Sequence, residues 1–442
     1  MEKYDIIIIG GGPAGMMAAI EAKKNESELN DSKPGYNNLR VGIIEKNPTL
    51  GKKLLITGGG RCNITNAQSM EVFHKNTVRN SKFLYSAFNN FTNKDLILFF
   101  ENEGIKFKTE GKKIYPQNDN AQELLNVLVE KLEKSGVELI LNSNVTNIEV
   151  KHREKPDGHG GCVIDIIQEG TLNSIITKKV IMATGGASYK STGSDGSMFK
   201  LLENLGIKTK PLLPTLVKLN SNQEFITRSQ GISLENIRIT VKHNNKKVIE
   251  IQDSIVFTHN GISGPAAINS SSYITDKELS DVNIFIDLIP ELPEEDFIKL
   301  IKVNDKKRLD TKISKLLPKE LVKNIIETKI KPEMGIVIDE ANKDGILEKD
   351  IQNMKKSEIN IIVNSFKNLE LKLTGYGGLN ESIVTRGGVD TSEISPKNLS
   401  LKKYPDILIS GEMIDIDALT GGFNLQIAFS TGYLAGKSAR TF

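Results

Sequence analysis

This 442-residue sequence has two cysteines, few long apolar runs and little excess of charge of either sign. The two cysteines, Cys62 and Cys162, lie far apart and form no CxxC pair, which argues against a dithiol redox pair and against a structural zinc site. The longest apolar run near the start, Ile6 to Ile9, is too short for a signal-peptide core or a membrane span. We therefore expect a cytoplasmic protein without a membrane partner.

The charge of the chain is nearly balanced. Its net charge is only +3, and its lysines are spread along the whole length without a basic block. Nucleic acid is therefore not an expected partner, and a small molecule is. The length allows two or three domains of ordinary globular composition. No pattern in the sequence indicates an oligomeric state.

The first residues have the pattern of a buried strand, a glycine turn and the start of a helix. Four consecutive isoleucines in Tyr4 to Gly15 are typical of a parallel strand covered on both faces. Gly10 permits the tight turn, Gly12 lets a pyrophosphate approach the backbone, and Gly15 lets helix and strand pack closely. A helix over Met16 to Lys24 would present its amino end to the phosphates. The pattern predicts dinucleotide binding, and a glycine turn without a ligand is the alternative.

A second strand is predicted over Leu39 to Lys46. Glu45 closes it, where an acidic side chain can bind both hydroxyls of an adenosine ribose. Glu45 lies 30 positions after Gly15, and the polar segment Asn25 to Asn38 accounts for this long spacing as a looped-out insertion. A solvent-facing acid at the strand end is the alternative.

Three successive glycines, Gly58 to Gly60, precede Arg61, Cys62 and Asn63. Such a loop can bring backbone N–H groups close to a flat or anionic ligand, with Arg61 supplying charge to a cofactor phosphate or a substrate carboxylate. A flexible surface turn is the alternative.

Apolar spacing predicts the order of elements along the rest of the chain. The predicted segments are a mainly helical stretch over 81–135, strands at Val137 to Leu141, Val145 to Val150 and Val180 to Gly186, a hairpin tip at His152 to Gly161, short strands at Leu216 to Asn220, Ile237 to Val241, Val248 to Gln252 and Val282 to Leu288, a lysine-rich helical stretch from Pro290 to Thr374, and a strand in Ile407 to Glu412. This order predicts one α/β domain built from residues 1–191 and 375–442, interrupted by an inserted module over 192–374.

Seven motifs, taken in order, resemble those of the HI0933-like flavoproteins, also called the BaiN/RdsA family of NAD(P)/FAD-dependent oxidoreductases. They are GGGPAG at the start, KLLITGGGRCN at 53–63, ATGG at 183–186, FTHNGISGP at 257–265, TRGGV at 385–389, and GEMID at 411–415 with GGFNLQ at 421–426. The resemblance spans nearly the whole chain.

The resemblance implies non-covalent FAD on an α/β, glutathione-reductase-type Rossmann domain that is discontinuous and carries an inserted β-barrel-like plus helical module. It assigns cofactor-binding positions along the whole FAD molecule. These would be Gly10, Gly12, Ala14 and Gly15 at the pyrophosphate, Glu45, Lys46 and Val145 at the adenosine end, Lys53, Gly59, Gly60, Arg61, Cys62 and Asn63 beside the phosphates, ribitol or flavin, Thr184 and Gly185 near the phosphates, Gly411 and Glu412 at the ribitol, and Gly422, Asn424 and Leu425 at the pyrimidine edge of the flavin.

Few residues are candidates for proton or redox chemistry, because no Ser-His-Asp set, carboxylate pair or metal-ligand spacing appears. His259 lies before a predicted helix start near Pro265 and could exchange a proton near the flavin, although ordering the turn is the favoured reading. Cys62 could act as a redox thiol, but packing beneath the loop is favoured. Tyr189 is a weaker proton-donor candidate.

The expected function is FAD-dependent hydride transfer on a small organic substrate, with an NAD(P)H-dependent reductase of conjugated double bonds as one form. Members of the family have been linked to reducing bile-acid-like enones and to oxidising small amines, and the residues do not choose between them. Only one dinucleotide fingerprint is present, so NAD(P)H would reach the flavin through a cleft made by the insert. The alternatives are an amine oxidase, a tRNA-modifying flavoprotein and a flavin-free NAD dehydrogenase.

Overall fold

The computed structural model describes residues 1–24, 39–151, 161–303, 307–336 and 354–441. The predicted insertion at 25–38 and most of the predicted hairpin tip at 152–161 therefore lie outside the described residues. The chain divides into two compact units: Met1–Pro214 with Leu379–Phe442, called the terminal unit, and Thr215–Gly378, called the central unit. The boundaries fall later than the predicted 191 and 374.

The elements of both units are numbered along the chain. The strands are β1 (Glu2–Ile9), β2 (Val41–Ile44), β3 (Thr65–Asn66), β4 (Phe107–Glu110), β5 (Lys113–Pro116), β6 (Glu138–Ile140), β7 (Ser143–Lys151), β8 (Gly161–Gln168), β9 (Thr171–Met182), β10 (Thr209–Thr215), β11 (Leu219–Asn220), β12 (Ser233–His243), β13 (Lys246–Thr258), β14 (Gly261–Ser263), β15 (Val282–Asp287), β16 (Leu369–Leu371), β17 (Gly375–Tyr376), β18 (Val384–Val389) and β19 (Ile407–Ile409). The helices are α1 (Pro13–Ala22), α2 (Lys52–Ile56), α3 (Met70–Asn76), α4 (Tyr85–Asn90), α5 (Asn93–Glu101), α6 (Ala121–Lys134), α7 (Ser197–Asn204), α8 (Glu224–Arg228), α9 (Pro265–Ser271), α10 (Glu294–Lys302), α11 (Leu309–Ile313), α12 (Lys319–Ile325), α13 (Lys331–Glu333), α14 (Lys356–Lys367) and α15 (Phe423–Ala439).

A parallel sheet forms the core of the terminal unit, in the strand order β6, β2, β1, β9, β19. The amino half of β9 extends beyond it and pairs antiparallel with β8, which pairs with β7. Ile6, Ile7 and Ile8 of β1 have no exposed surface. The prediction of a parallel strand covered on both faces is therefore confirmed.

The segment 81–135 is less helical than the sequence predicted. Between α5 and α6, β4 and β5 form an antiparallel hairpin, and β3 pairs with β5 as a third strand. The hairpin turns at Gly111, which has φ +61°. Its strands are only four residues long and lie between two amphipathic helices, so their period-two pattern is hidden by the helical pattern on either side.

Two helices from opposite ends of the chain, α1 and α15, pack backbone to backbone. A Cβ on Gly432 of α15 would lie 2.3 Å from the carbonyl oxygen of Ala14, and one on Gly436 would lie 2.3 Å from that of Ala18. Both contacts advance by four residues in the same sense, so the helices run in the same direction. The absence of side chains at these two glycines is what allows the close approach.

The central unit contains an antiparallel sheet with its own hydrophobic core. Its strand order is β16, β15, β12, β13, β14, β11, β17, and within the described residues β16 and β17 end this path. The predicted strands at 237–241 and 248–252 fall within β12 and β13, and the one at 282–288 extends one residue beyond β15. Pro265 is the first residue of α9 as predicted. The helices α10 to α14 occupy the predicted helical stretch. Of the described helices, none has the length and apolarity needed to cross a bilayer.

Gly436→Ala tests the close helix packing. Alanine favours a helix interior by about 1 kcal/mol relative to glycine, yet its Cβ would collide with the backbone of α1. We expect the unfolding free energy to fall by about 1–2 kcal/mol in urea denaturation, because overpacking outweighs the gain in propensity. Ser438→Ala, in the same turn, is the control and should not destabilise the protein. A Gly436→Ala variant that is more stable than the parent would contradict this packing.

Candidate functional site

Four segments that follow parallel strands meet at the carboxyl edge of the sheet in the terminal unit. Gly10–Gly15 follows β1, Glu45 follows β2, Thr184–Gly185 follows β9, and Gly411–Glu412 follows β19. The strand order reverses at β1, which has β2 on one side and β9 on the other. Ligands of open α/β sheets bind at such a switch point. The structure thus brings together four segments that the sequence assigned to a cofactor.

In the turn between β1 and α1, a side chain would collide with the backbone at some glycines and would meet no protein atom at another. Gly10 has φ +104°, and a Cβ there would lie 2.6 Å from the Ala183 carbonyl oxygen. A Cβ on Gly15 would lie 1.9 Å from the Gly10 carbonyl oxygen, whereas one on Gly12 would meet nothing within 4 Å. In addition, α1 has no side-chain cap and no acidic residue in its first turn. Unpaired N–H groups and a positive dipole end therefore face open space, which fits a pyrophosphate.

Glu45 is fixed by the backbone around it. Its Oε2 accepts from Gly11 N at 2.8 Å, and its Oε1 accepts from Asn47 N at 2.9 Å and from Asn47 Nδ2 at 2.7 Å. The Glu45 carbonyl oxygen accepts from Ser143 N at 3.0 Å, which places the start of β7, including Val145, next to it. Oε2 accepts only one of these hydrogen bonds and can accept another, so the arrangement fits a ribose hydroxyl.

Lys46 is paired with an acid that sequence reasoning missed. Its Nζ lies 2.8 Å from Asp195 Oδ2. Burial raises the pKa of Asp195, but hydrogen bonds from Lys46 and Ser197 outweigh it and hold the pKa at about 2. Asp195 lies beyond the predicted boundary at 191, so the sequence assigned it to the insert, whereas the structure places it in the terminal unit.

Lys53 and Glu412 form a half-buried ion pair. Lys53 Nζ lies 2.7 Å from Glu412 Oε2 and donates to Ser188 Oγ at 2.7 Å. Glu412 Oε1 accepts from Thr385 N at 2.7 Å and from Ser188 Oγ at 3.2 Å. The sequence predicted Lys53 and Glu412 near the cofactor but not their pairing. Ser188 and Thr385 were missed, although Ser188 lies two residues after the ATGG motif and Thr385 begins the TRGGV motif.

Thr184 and Gly185 lie on the turn that follows β9. Thr184 Oγ1 donates to Met413 Sδ at 3.2 Å, which joins this turn to the one after β19. Gly185 has φ +79°, and a Cβ there would lie 3.7 Å from Glu412 Oε2. The two turns are therefore held together beside the Lys53–Glu412 pair.

The amino end of α15 is a second uncapped helix terminus. The helix follows Gly422, which has φ +89°, and it has no side-chain cap and no acidic residue in its first turn. The Asn63 amide, in the orientation that satisfies its neighbours, accepts from Gly422 N at 3.0 Å and donates to the Thr65 carbonyl oxygen at 2.9 Å. Asn63 thus fixes the approach to the helix from the GRCN loop.

Asn424, in the first turn of α15, also uses its side chain on the loop before the helix. Its Oδ1 accepts from Ala418 N at 3.0 Å, and its Nδ2 donates to the Ala418 carbonyl oxygen at 2.8 Å. An uncapped first turn offers backbone N–H groups, here including that of Leu425, to a ligand. This fits the role that the resemblance gave to Gly422, Asn424 and Leu425.

The uncapped ends of α1 and α15 are offset from each other. Nine residues of α15 precede Gly432, whereas one residue of α1 precedes its contact Ala14. At the rise of an α-helix, the amino end of α15 extends about 12 Å beyond that of α1. FAD has a matching layout, because its ribitol chain separates the pyrophosphate from the flavin. The two helix ends therefore fit the two polar ends of that half of the cofactor.

The loop after α2 leaves its backbone open. Gly58 and Gly59 have φ +57° and +69°, and a Cβ on Gly59 would meet nothing within 4 Å. A Cβ on Gly60 would come no closer than 3.9 Å to another residue. This agrees with the prediction of a loop that a flat ligand can approach.

Arg61 does not have the free charge that the sequence suggested. Its guanidinium donates to Glu110 and, at 2.7 Å, to Asp119 Oδ1. It also lies 4.3 Å from the ring centre of Tyr115. Arg61 anchors the loop to the β4–β5 hairpin, and two carboxylates meet its charge. This geometry gives no support to a phosphate or substrate role, and the partners were missed because the hairpin was missed.

The three candidates for proton or redox chemistry lie in different settings. Cys62 is fully buried, and burial raises the pKa of its thiol to about 12. A protonated thiol is a poor nucleophile, so the geometry favours packing over redox chemistry. Tyr189 is half-buried in a left-handed conformation at φ +54°. His259 is exposed in the turn between β13 and β14 of the central unit, and it stays a predicted proton donor.

The profile of the HI0933-like protein Rossmann domain matches residues 4–438. The chain belongs to the HI0933-like family. It is an FAD-dependent oxidoreductase with a Rossmann-type FAD-binding domain, as the sequence predicted.

Curated relatives match this HI0933-like chain from end to end. The ribosomal RNA dihydrouridine synthase of Haemophilus influenzae is 29% identical over 443 residues, which cover 99% of each chain. The enzyme of the same name from Escherichia coli is 27% identical and covers 99% of this chain and 98% of its own. The 3-dehydro-bile acid delta(4,6)-reductase of Clostridium scindens is 27% identical over 98% of each chain.

The fold also resembles that of a solved steroid enzyme. The crystal structure of 3-ketosteroid-delta4-(5alpha)-dehydrogenase from Rhodococcus jostii RHA1 matches 100% of this chain and 97% of its own, with a TM-score of 0.53 and 15% identity. At this identity the comparison shows a shared fold.

Gly12→Ala tests the open position at the amino end of α1. Because the new Cβ meets no protein atom within 4 Å, the unfolding free energy of the apoprotein should change by less than about 1 kcal/mol. The methyl group would occupy the space left for the pyrophosphate, so fluorescence titration should show FAD binding weakened by roughly tenfold or more. Unchanged FAD affinity in a folded variant would contradict this placement.

The buried thiols predict a simple labelling result. Cys62 and Cys162 are both buried, and burial raises the pKa of each thiol to about 12. A colorimetric disulfide reagent at pH 8 should therefore find no fast-reacting thiol in the native protein and both thiols after unfolding in guanidinium chloride. Rapid reaction of one thiol in the native protein would restore Cys62 as a redox candidate.

Proposed function

We propose that the protein reduces a carbon–carbon double bond conjugated to a carbonyl group. The observation that carries this proposal is that full-length relatives with unlike substrates share this bond type. Dihydrouridine is uridine whose 5,6 double bond, conjugated to the C4 carbonyl, has been reduced. The delta(4,6) double bonds of a 3-dehydro bile acid are conjugated to the 3-carbonyl in the same way. In uridine a hydride is added to the β-carbon and a proton to the α-carbon. In the dienone the hydride is added to the β-carbon or, through the extended conjugation, to the δ-carbon, and the proton is added to the adjacent α- or γ-carbon.

FAD, when bound, supplies the hydride in this reaction. The amino end of α1 would hold its pyrophosphate, and Glu45 would hold its adenosine ribose. The amino end of α15 would place backbone N–H groups and a positive dipole where negative charge accumulates on reduction. Lys53, oriented by Glu412 and Ser188, would place a hydrogen-bond donor between the two ends.

The proton donor is proposed to be a residue other than Cys62, whose raised pKa disfavours proton transfer near neutral pH. His259 is the first choice, because imidazole is the side chain most often used for such transfers and this one is exposed. Tyr189 is the second choice. NAD(P)H is the proposed source of electrons. A cytoplasmic location is proposed as well, in keeping with two free cysteines.

Two substrate classes satisfy the proposed reaction. A small organic enone is the class that the sequence predicted, and the net charge of +3 without a basic block supports it. A uracil base in ribosomal RNA is the second candidate, because the two relatives with that name match 99% of this chain. Both candidates require the same chemistry at the flavin.

Anaerobic stopped-flow spectroscopy tests the proposal. We expect NADH or NADPH to bleach the visible absorbance band of oxidised flavin, at about 450 nm. The reduced protein should then be reoxidised by a 3-oxo-Δ4 steroid or by an unmodified ribosomal RNA transcript. Mass spectrometry of the acceptor should show the gain of two hydrogen atoms.

The outcomes separate the alternatives. Reoxidation by the transcript alone assigns RNA as the substrate, and reoxidation by the steroid alone assigns a small enone. Reduction of the flavin by a primary amine, with fast reoxidation by oxygen and none by either acceptor, would identify an oxidase and refute the reductase proposal. A purified protein that binds no FAD would refute the cofactor itself.

A further inference from the structure

A buried ion pair lies beside the loop that leads into α15. Both carboxylate oxygens of Asp417 accept from Arg79 Nη1, at 2.7 and 2.8 Å. The Asp417 side chain has no exposed surface, and that of Arg79 is 17% exposed. Removing charges from water in this way is costly unless they are paired, so the pair is an informative feature of this unit. Neither residue belongs to the cofactor contacts described above.

The backbone joins the same two segments. Val78 N donates to the Asp417 carbonyl oxygen at 2.8 Å, and Leu419 N donates to the Asn76 carbonyl oxygen at 2.9 Å. Residues 415–419 are therefore held by both main-chain and side-chain bonds to the last residue of α3 and to the segment that follows it.

The loop in turn holds the first turn of α15. Ala418 lies between the two anchored residues, Asp417 and Leu419, and its N–H and carbonyl group both bond to the Asn424 side chain. A displacement of the ion pair would therefore move the end of the helix that is proposed to meet the flavin.

The charges that face Asp417 are balanced among the described residues. Burial raises the pKa of Asp417, and the positive charges of Arg79 and Arg386 oppose that rise, while Asp415 adds a second negative charge. Asn80 Nδ2 also donates to the Asp415 carbonyl oxygen, at 2.6 Å. Counted as ionised, the two arginines balance the two aspartates. Lys210 and Asp390, which also act on Asp415, form a further ion pair at 2.9 Å and add no net charge.

We propose that the Arg79–Asp417 pair positions the amino end of α15 for the flavin and keeps that end free of net charge. The helix dipole then acts on the flavin without an opposing or added full charge. The pair is a positioning element, since it acts through Ala418 and Asn424. The proposal rests on the proposed placement of the flavin at this helix end.

Asp417→Asn tests the charge balance. Asparagine keeps the volume and one carbonyl acceptor for Arg79, whose charge persists at any working pH. One uncompensated positive charge then remains near α15 and favours the electron-rich reduced flavin. We expect the midpoint potential of the bound flavin to rise, with the ratio of reduced to oxidised flavin at a fixed potential increased on the order of tenfold.

The double variant Arg79→Met/Asp417→Asn separates charge from position. Removal of both groups restores neutrality, so the midpoint potential should return toward that of the parent protein. The loop loses its side-chain anchor, so FAD affinity, measured by fluorescence titration of the apoprotein, should fall by roughly tenfold.

A second buried ion pair in the same unit provides the matched control. Arg440 Nη2 lies 2.8 Å from Glu21 Oε1, and the two side chains are 6% and 2% exposed. Glu21 is near the carboxyl end of α1, away from both uncapped helix ends. Glu21→Gln/Arg440→Met removes both charges together, so thermal stability should change little or rise, and FAD affinity and midpoint potential should stay unchanged.

The results distinguish this inference from the proposed function. If Asp417→Asn binds FAD at the potential of the parent protein, or if the control shifts the potential equally, the Arg79–Asp417 pair is only structural and the inference is wrong. If the parent protein itself binds no FAD, the proposed function fails first. Retention of FAD with a raised potential in Asp417→Asn alone supports the inference.

Discussion

The close contact between α1 and α15 is the constraint on which the candidate site depends. Where Gly432 and Gly436 meet the carbonyl oxygens of Ala14 and Ala18, no side chain separates the two helices. This contact fixes how far one helix extends past the other. It therefore converts two ordinary helix termini into a pair of anion-attracting positions at a set separation, and the strands between them supply the remaining polar groups.

Ion pairs organise the rest of the site around these two helix termini. Three basic side chains within the terminal unit are each neutralised by an acid: Lys53 by Glu412, Lys46 by Asp195, and Arg61 by its two acids. The most open attraction for a phosphate then comes from backbone N–H groups rather than from lysine or arginine. This is consistent with a site built for a bound dinucleotide, in which geometry rather than net charge selects the ligand.

Sequence reasoning predicted the features that are encoded locally. The isoleucine run of β1, the glycine turn, the acid that ends β2 and the motif order all lie within short windows whose residue types dictate their conformation. The pairings could not be predicted in the same way. Only the tertiary fold brings together the partners of such pairs as Thr385 with Glu412 and Arg79 with Asp417. The strands of the β4–β5 hairpin are too short for their pattern to be detected between the helical patterns on either side.

The terminal unit is built from two separate segments of the chain, and this affects when it can fold during synthesis. The parallel sheet receives β19, and the cofactor site receives α15, only from the segment that follows the central unit in the chain. During synthesis, β1 and α1 emerge early with their glycines exposed and no partner helix to cover them. The amino-terminal part cannot complete its fold until the carboxy-terminal segment has been translated. We therefore expect FAD to bind after synthesis of the chain is complete.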